Sequence, residues 1–458
     1  MKQKCRFKIK VTAAVLTSVL LFGVCSAAIK AGMLAVQRGD VESYDGIEEV
    51  LRNDKKKYNT ILGDVFDRND DYIMDNNEII INSANEYDPA YTYILGSPMY
   101  NIGLLNRHYD TLTDKSYTHG KKGLNIRLTI DDSLQKFLYS LTEGKRKSIV
   151  IMEKNSGKIL AMTGAYEDPF TLSNVTGKMI EEYNNYDPAH SPVWLTEYMN
   201  CYHTGSVMKI FTSAVAFDTG YGGFTLQDWG STSFNGKIIS DSYSADGSVE
   251  DIESAFVKSS NVYFSTLGVT IGADTIKLYI DKFLLNTTIE TDFGRIENKS
   301  LLKKRANDHA IGSFCYGQGG TYSTVTLCMI AQAATTGRIY RPHIIDSIFC
   351  YDDEEEEITV RETKEEILSE NIISPFACEE VDRIMKASAS SKGLAEDVGV
   401  KSGTAEIYMD NHDANRATMI GTYGNYVIAI SEISLDEVLF GSSHTSTMKL
   451  ITDVLRQY

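Results

Sequence analysis

Proline is scarce in this 458-residue chain, with 7 residues, and tryptophan scarcer, with 2. So little proline excludes a polyproline or low-complexity protein, and 43% hydrophobic residues point to a folded globular chain. Positive charge is also short. The 45 Lys and Arg against 62 Asp and Glu leave a net charge of −17, which disfavours nucleic acid as a partner. The 8 histidines include no H-E-x-x-H, and no G-x-S-x-G elbow accompanies them, so a zinc enzyme and a Ser-His-Asp hydrolase are both disfavoured. Cysteines number 7, without a C-x-x-C pair. Cys5 and Cys25 fall at the N-terminus. Cys201, Cys315, Cys328, Cys350 and Cys378 are an odd, scattered set, neither a disulfide framework nor a zinc pattern, and read as free thiols. No metal or other cofactor is implied.

Long apolar runs are lacking too, with one exception. Val11 to Ile29 is 19 residues without a charge, close to the roughly 20 that span a hydrocarbon core. Lys2, Lys4, Arg6, Lys8 and Lys10 precede it. By the positive-inside rule this reads as an uncleaved signal anchor, 11–29, behind a cytoplasmic tail, 1–10, with the remainder outside the cell membrane. Ser26-Ala27-Ala28 offers small residues but no A-x-A cleavage site.

Such a length suggests two or three domains. Residues 30–122 are polar and rich in Asp, Asn and Tyr, and read as a small mixed domain; 123–458 reads as the main one. Ile126 to Ile130 alternates like a strand, and an apolar-periodic helix opens at Asp131. Ser148 to Glu153 and Lys158 to Met162 read as a hairpin around Asn155-Ser156-Gly157. Residues 204–285 read as mostly helical. Val400 opens a strand, Tyr426 to Ile430 is another, and Thr445 to Leu455 is a terminal helix. The six acids Asp352 to Glu357 read as a solvated hairpin tip. Strands at both ends with helices between suggest an α+β fold.

Three short motifs then fall in order: Ser206-Val207-Met208-Lys209, Ser259-Ser260-Asn261 and Lys401-Ser402-Gly403-Thr404. Three residues separate Ser206 from Lys209, so both side chains share a helix face. A serine hydroxyl is a poor nucleophile until a base takes its proton, and a lysine serves as that base once burial or nearby cations lower its pKa. Ser259 can relay a proton to Lys209, and Asn261 can bond both the lysine and a substrate amide. Lys401, with the Ser402 and Thr404 hydroxyls, suits a terminal carboxylate. Gly403 lets a substrate strand approach. The N–H groups of Ser206 and Thr404 make an oxyanion pair.

Copies of these strings compete. Ser300 to Lys303 and Ser446 to Lys449 match S-x-x-K; Ser233-Phe234-Asn235 and Ser369-Glu370-Asn371 match S-x-N. Too few residues follow Lys449 for the other motifs, and Ser300 lies in a basic segment with no apolar helix to bury a lysine. Asp67, Asn69, Asp71 and Glu78 fit a calcium loop, but Tyr72 stands at its glycine position. No calcium site is read there.

The ordered set is similar to that of the penicilloyl serine transferases, and the flanking segments resemble the class B penicillin-binding proteins over about residues 123–458. Leu128-Thr129-Ile130-Asp131 with Leu134-Gln135 resembles the family's entry to its transpeptidase domain. Ser156 to Met162, followed by Asp168-Pro169, resembles its hairpin. Tyr316-Gly317-Gln318-Gly319, Thr324-Val325-Thr326, Gly337 and Arg341-Pro342 resemble a further stretch, and Asp64 to Asn69 a segment of its N-terminal pedestal. His203-Thr204, Leu327 and Thr335-Thr336 depart from the family's usual residues, as does the missing aromatic near Met419-Ile420-Gly421. The resemblance implies a pedestal at 30–122 and a transpeptidase domain with a central antiparallel sheet flanked by helices. It implies a monofunctional peptidoglycan D,D-transpeptidase that cross-links stem peptides through a Ser206 acyl-enzyme and is inhibited by β-lactams. A membrane glycosyltransferase is the implied partner. Two alternatives stay open: hydrolysis of the acyl-enzyme, as a carboxypeptidase or β-lactamase, and a non-catalytic scaffold of a wall-synthesis complex. The missing E-x-x-L-N counts against a class A β-lactamase.

Overall fold

The structure, a computed structural model, describes residues 62–74, 88–96, 103–118, 122–143, 145–165, 198–409, 412–434 and 441–458. The tail 1–10, the anchor 11–29, Glu78 and Asp168-Pro169 lie outside the described residues. Among the described residues no helix is long and apolar enough to cross a membrane.

Strands β1 (Val65–Phe66), β2 (Tyr72–Met74) and β3 (Asn125–Leu128) come first, then β4 (Lys147–Glu153) and β5 (Ile159–Ala165). A small hairpin, β6 (Ser231–Phe234) and β7 (Lys237–Ser240), follows, and after it β8 (Ile345–Tyr351) and β9 (Glu357–Glu362). The last three are β10 (Val398–Met409), β11 (His412–Tyr423) and β12 (Tyr426–Ser434). The helices that frame the site are α1 (Asp132–Ser140), α2 (Lys209–Asp218), α3 (Ile252–Lys258), α4 (Asn261–Ile271), α5 (Asp308–Tyr316), α6 (Thr324–Thr336), α7 (Pro375–Ser390) and α8 (Thr445–Leu455).

The central sheet runs β10-β11-β12-β4-β5, every pair antiparallel. Within it β4, β5 and the first half of β12 are nearly continuous apolar runs because helices cover both faces. Alternation then sorts the side chains. Ile149 and Ile151 of β4 pack with Leu134 and Leu138 of α1 and with Met448, Ile451 and Leu455 of α8. Val150 and Met152 point the other way, into the larger core that holds α2, α4 and α6. Helix α6 is buried along nearly its whole length, so it lies between the sheet and the other helices. The expected hairpin is there, with strands at Lys147–Glu153 and Ile159–Ala165.

A second sheet, β9-β8-β3-β1-β2, is antiparallel except where β1 runs parallel to β3. It joins residues 65–74 to strands from the main segment. The acidic run falls at the exposed β8–β9 turn, with Glu355 at φ 62°.

One expectation needs correction. Residues 204–285 are not helical throughout: 226–250 hold two small two-stranded sheets, β6 with β7 and Leu226–Gln227 with Val249–Glu250. The hairpin turn is Asn235-Gly236, at φ 52° and 76°. Asn-Gly with both φ positive is a type I′ turn, a signal present in the sequence that the apolar helices on either side obscured.

Candidate active site

Ser206 sits on the one-turn 3-10 helix Gly205–Met208, and α2 begins at Lys209. In a 3-10 turn residues i and i+3 eclipse, which aligns the two side chains more closely than an α-helical start. Helix α2 is buried on all sides from Lys209 to Phe217, so the lysine is carried into the interior. Its Nζ lies 2.9 Å from Ser206 Oγ, 2.6 Å from the Ser259 carbonyl, 3.1 Å from Ser259 Oγ and 2.9 Å from Asn261 Oδ1. All four neighbours are uncharged. Burial first, then the Lys401 cation, pushes the Lys209 ammonium well below the ordinary lysine range, against an opposing pull from Asp241.

Ser259 ends α3 in the left-handed region, at φ 66° and ψ 40°. Ser260 then caps α4, its hydroxyl accepting from the Tyr263 N–H at 2.9 Å. The tight junction of two helices throws Ser259 and Asn261 to the same side, towards Lys209. Lys401 projects from β10. Its Nζ is 2.9 Å from Ser259 Oγ and 2.9 Å from the Ser402 carbonyl. Burial, and then the Lys392 cation, pushes it down to about 7. The Ser259 hydroxyl therefore lies between two buried amines.

The nucleophile turn and β10 touch backbone to backbone. A Cβ on Gly403 would sit 2.8 Å from Ser206 N, and one on Gly205 would sit 2.9 Å from Thr404 N. Only glycines allow this approach, which brings the Ser206 and Thr404 amides beside one another. The Gly205 N–H donates to the Gly317 carbonyl at 3.1 Å. Gly317 closes α5 at φ 115°, and a Cβ there would lie 1.8 Å from the Gly205 carbonyl oxygen. The Gly317-Gln318-Gly319 stretch thus clasps the turn from behind. The Thr404 hydroxyl accepts from the Gly441 N–H at 3.1 Å, tying β10 to the turn before α8.

Ser206, Lys209, Ser259, Asn261, Lys401, Ser402, Gly403 and Thr404 thus gather at one place, and the competing strings do not. Ser446 and Lys449 are exposed on α8, Lys303 and Ser233 are exposed, and the Ser369 hydroxyl donates to the Lys282 carbonyl at 2.7 Å. In the calcium-like loop, Asp67 accepts the N–H groups of Asn69, Asp71 and Asp132. Cys201 is partly exposed, the other four described cysteines are buried, and all five are free thiols. Two contributors escaped the sequence reading. Fully buried Arg416 of β11 donates to the carbonyls of Tyr202 and Tyr322, both at 3.0 Å. Thr418 donates to the Thr204 carbonyl at 2.8 Å. Both hold the segment that leads into Ser206, and neither belongs to a motif.

Known proteins resemble this chain in sequence and in fold. Residues 147–435 match the penicillin binding protein transpeptidase domain. The peptidoglycan D,D-transpeptidase MrdA of Haemophilus influenzae is 23% identical over 256 residues, covering 49% of this chain and 37% of that protein. The peptidoglycan D,D-transpeptidase PbpA of Mycolicibacterium smegmatis is 25% identical over 258 residues, 50% of this chain and 49% of that one. The chain therefore spans half or less of the length of these curated relatives. Among solved structures, the D,D-transpeptidase domain of a peptidoglycan glycosyltransferase from Eggerthella lenta superposes with a TM-score of 0.68 at 17% identity, covering 87% of this chain and 98% of that one. Penicillin-binding protein A of Mycobacterium tuberculosis, as its penicillin G acyl-enzyme, gives 0.68 at 19%, covering 81% and 93%. At such identities the likeness carries the fold.

Proposed function

Because this chain belongs to the penicillin-binding protein transpeptidase domain family, we propose that it is a peptidoglycan D,D-transpeptidase working through a Ser206 acyl-enzyme. The observation that carries the reading is the buried Lys209 amine, 2.9 Å from Ser206 Oγ and ringed by uncharged partners. In its neutral form the amine accepts the serine proton as Oγ bonds to the carbonyl carbon of a D-Ala–D-Ala bond. The Ser206 and Thr404 amides stabilise the oxyanion. When the C–N bond breaks, the departing D-Ala amine takes a proton that passes from Lys209 through the Ser259 hydroxyl. Lys401, Ser402 and Thr404 bind the substrate's terminal carboxylate, and Asn261 its amide. The amine of a second stem peptide then attacks the ester and frees Ser206. A β-lactam enters by the same first step, but its opened ring stays tethered and blocks the acceptor. The relative captured as a penicillin G acyl-enzyme supports that outcome.

The Val11 to Ile29 stretch supports a cell-membrane anchor with the catalytic domain outside, beside a membrane glycosyltransferase that would supply the glycan strands.

Labelling with a fluorescent penicillin tests the reading: wild type labels and Ser206→Ala does not. Equal labelling of the two would overturn it. Product analysis with an acceptor amine then separates transfer from hydrolysis.

A further inference from the structure

Two carboxyl groups behind the Ser259-Ser260-Asn261 turn take no part in this chemistry. Asp228, 1% exposed, accepts from the Gly230 N–H at 2.7 Å, the Ser260 hydroxyl at 2.7 Å and the Tyr243 hydroxyl at 3.3 Å. Three donors suit an ionised carboxylate. Asp241 follows β7 directly. Its Oδ1 accepts the N–H groups of Asn261 and of Val262, the latter at 3.1 Å. Its Oδ2 faces Ser260 Oγ at 3.3 Å, so that one hydroxyl bridges the two carboxyl groups.

A hydroxyl has one hydrogen. That of Ser260 goes to Asp228, the nearer acceptor, while its oxygen already takes the Tyr263 N–H. The contact from Asp241 Oδ2 is therefore attractive only when Asp241 itself carries a hydrogen. The same strand end fixes the neighbouring amide: the Ser240 carbonyl accepts from Asn261 Nδ2 at 3.0 Å, which turns Oδ1 towards Lys209.

We propose that Asp228 and Asp241 form a proton-sharing acid pair that positions Asn261 and keeps a negative charge away from Lys209. The proposal rests on the reading of Lys209 as the base. An ionised Asp241 would favour the ammonium form of that lysine, and an ammonium cannot take the Ser206 proton. Burial, reinforced by Asp228, holds the Asp241 carboxyl above the ordinary range despite its two N–H partners. Burial opposes ionisation of Asp228 too, but the Gly230, Ser260, Asp241 and Tyr243 donors outweigh it and hold that carboxyl below the ordinary range. Two carboxyls brought together around one hydroxyl commonly settle on one proton between them. The other titratable groups facing the pair are Tyr243 on its own loop, Lys258 on α3, itself paired with Glu250, and Lys209 with Lys401 across the site. Asp228 and Asp241 are positioning residues, acting through Asn261 and Lys209.

The test is the acylation rate of the full chain by a fluorescent penicillin as a function of pH, in two variants. In Asp228→Asn the amide donates to Asp241, which then ionises. The acidic limb moves up by about one pH unit, so that at a pH on that limb acylation slows roughly tenfold relative to wild type. In Asp241→Asn the amide stands in for the shared proton, Oδ1 keeps both N–H groups, and the limb stays in place. A merely structural pair would lower the melting temperature in both variants and shift neither limb. Infrared spectra with isotope-labelled aspartate give an independent reading: a protonated-carboxyl band at pH 7 in wild type, lost in Asp241→Asn. Equal limbs in the two variants, or no such band in wild type, would overturn the proposal. If wild type is not acylated at all, the transpeptidase reading falls and the infrared band alone decides the pair.

Discussion

Ser259 carries two burdens at once. Its hydroxyl lies 3.1 Å from Lys209 Nζ and 2.9 Å from Lys401 Nζ, and its backbone is left-handed at φ 66°. A residue with a Cβ costs about 1–2 kcal/mol in that region, and glycine avoids the cost. Strain at a site persists when the surroundings over-determine it, and here the Ser260 cap of α4 and the α3 C-terminus fix the chain on both sides. The two burdens separate by substitution. Ser259→Ala and Ser259→Gly both lose the relay, and acylation slows by about 100-fold in each. Ser259→Gly is the more stable of the two by about 1 kcal/mol, net of glycine's larger unfolded-state entropy, in urea denaturation. Equal stabilities would mean that the left-handed turn stores no strain. Equal acylation in Ser259→Ala and wild type would remove Ser259 from the proton path.

At the scale of elements, buried amides lock the sheet to its neighbours. Gln135 of α1 is fully buried. Its Nε2 donates to the carbonyls of Ala90 at 2.8 Å and Met162 at 2.9 Å, and its Oε1 accepts the Met162 N–H at 2.9 Å. One side chain therefore joins α1, the edge strand β5 and residues 89–91. Gln135→Leu fills a similar volume but orphans three backbone groups, and should cost about 2–4 kcal/mol in thermal or urea unfolding. Penicillin labelling of the remaining folded protein should persist, since Gln135 does not reach Ser206. Gln135 was visible in the sequence as part of Leu134-Gln135, but not its work, because its partners come from residues 90 and 162. The same division runs through the site. Ser206 and Lys209 were legible because a three-residue spacing is a local constraint, and β4 because a doubly buried strand is a continuous apolar run. Arg416, Asp228 and Asp241 were not. Each acts on a segment far along the chain, and a lone charge in a strand or loop gives no sign of which carbonyl or amide it will meet. The β6–β7 hairpin lay between these cases, announced by Asn235-Gly236 yet set among helices.

For the molecule as a whole, two amines buried beside each other make stability depend on pH. Lys401 is 1% exposed and Lys209 fully buried. Lys401 titrates at about 7 in the folded chain against an ordinary 10.5, through burial and then the Lys392 cation. Between those values the unfolded chain holds a proton on this lysine that the folded chain has released. Stability therefore rises with pH from about 7 towards 10.5, and below about 7 the full penalty remains. Burial pushes Lys209 in the same direction. This is a cost of function, since burying the two amines at the site is what weakens the fold. Lys401→Met removes the ionisable head and keeps the buried stem. At pH 7 it should raise the melting temperature by roughly 2–4 °C, on the order of 2 kcal/mol after the two lost hydrogen bonds are subtracted. It should also abolish penicillin labelling or slow it severely. The decisive measurement is the gap in melting temperature between variant and wild type, followed from pH 7 to pH 9. It should narrow as the pH rises, because wild type gains stability that the variant already has. A gap that stays constant would mean that Lys401 keeps its proton in the folded chain, and that its charge is balanced within the site.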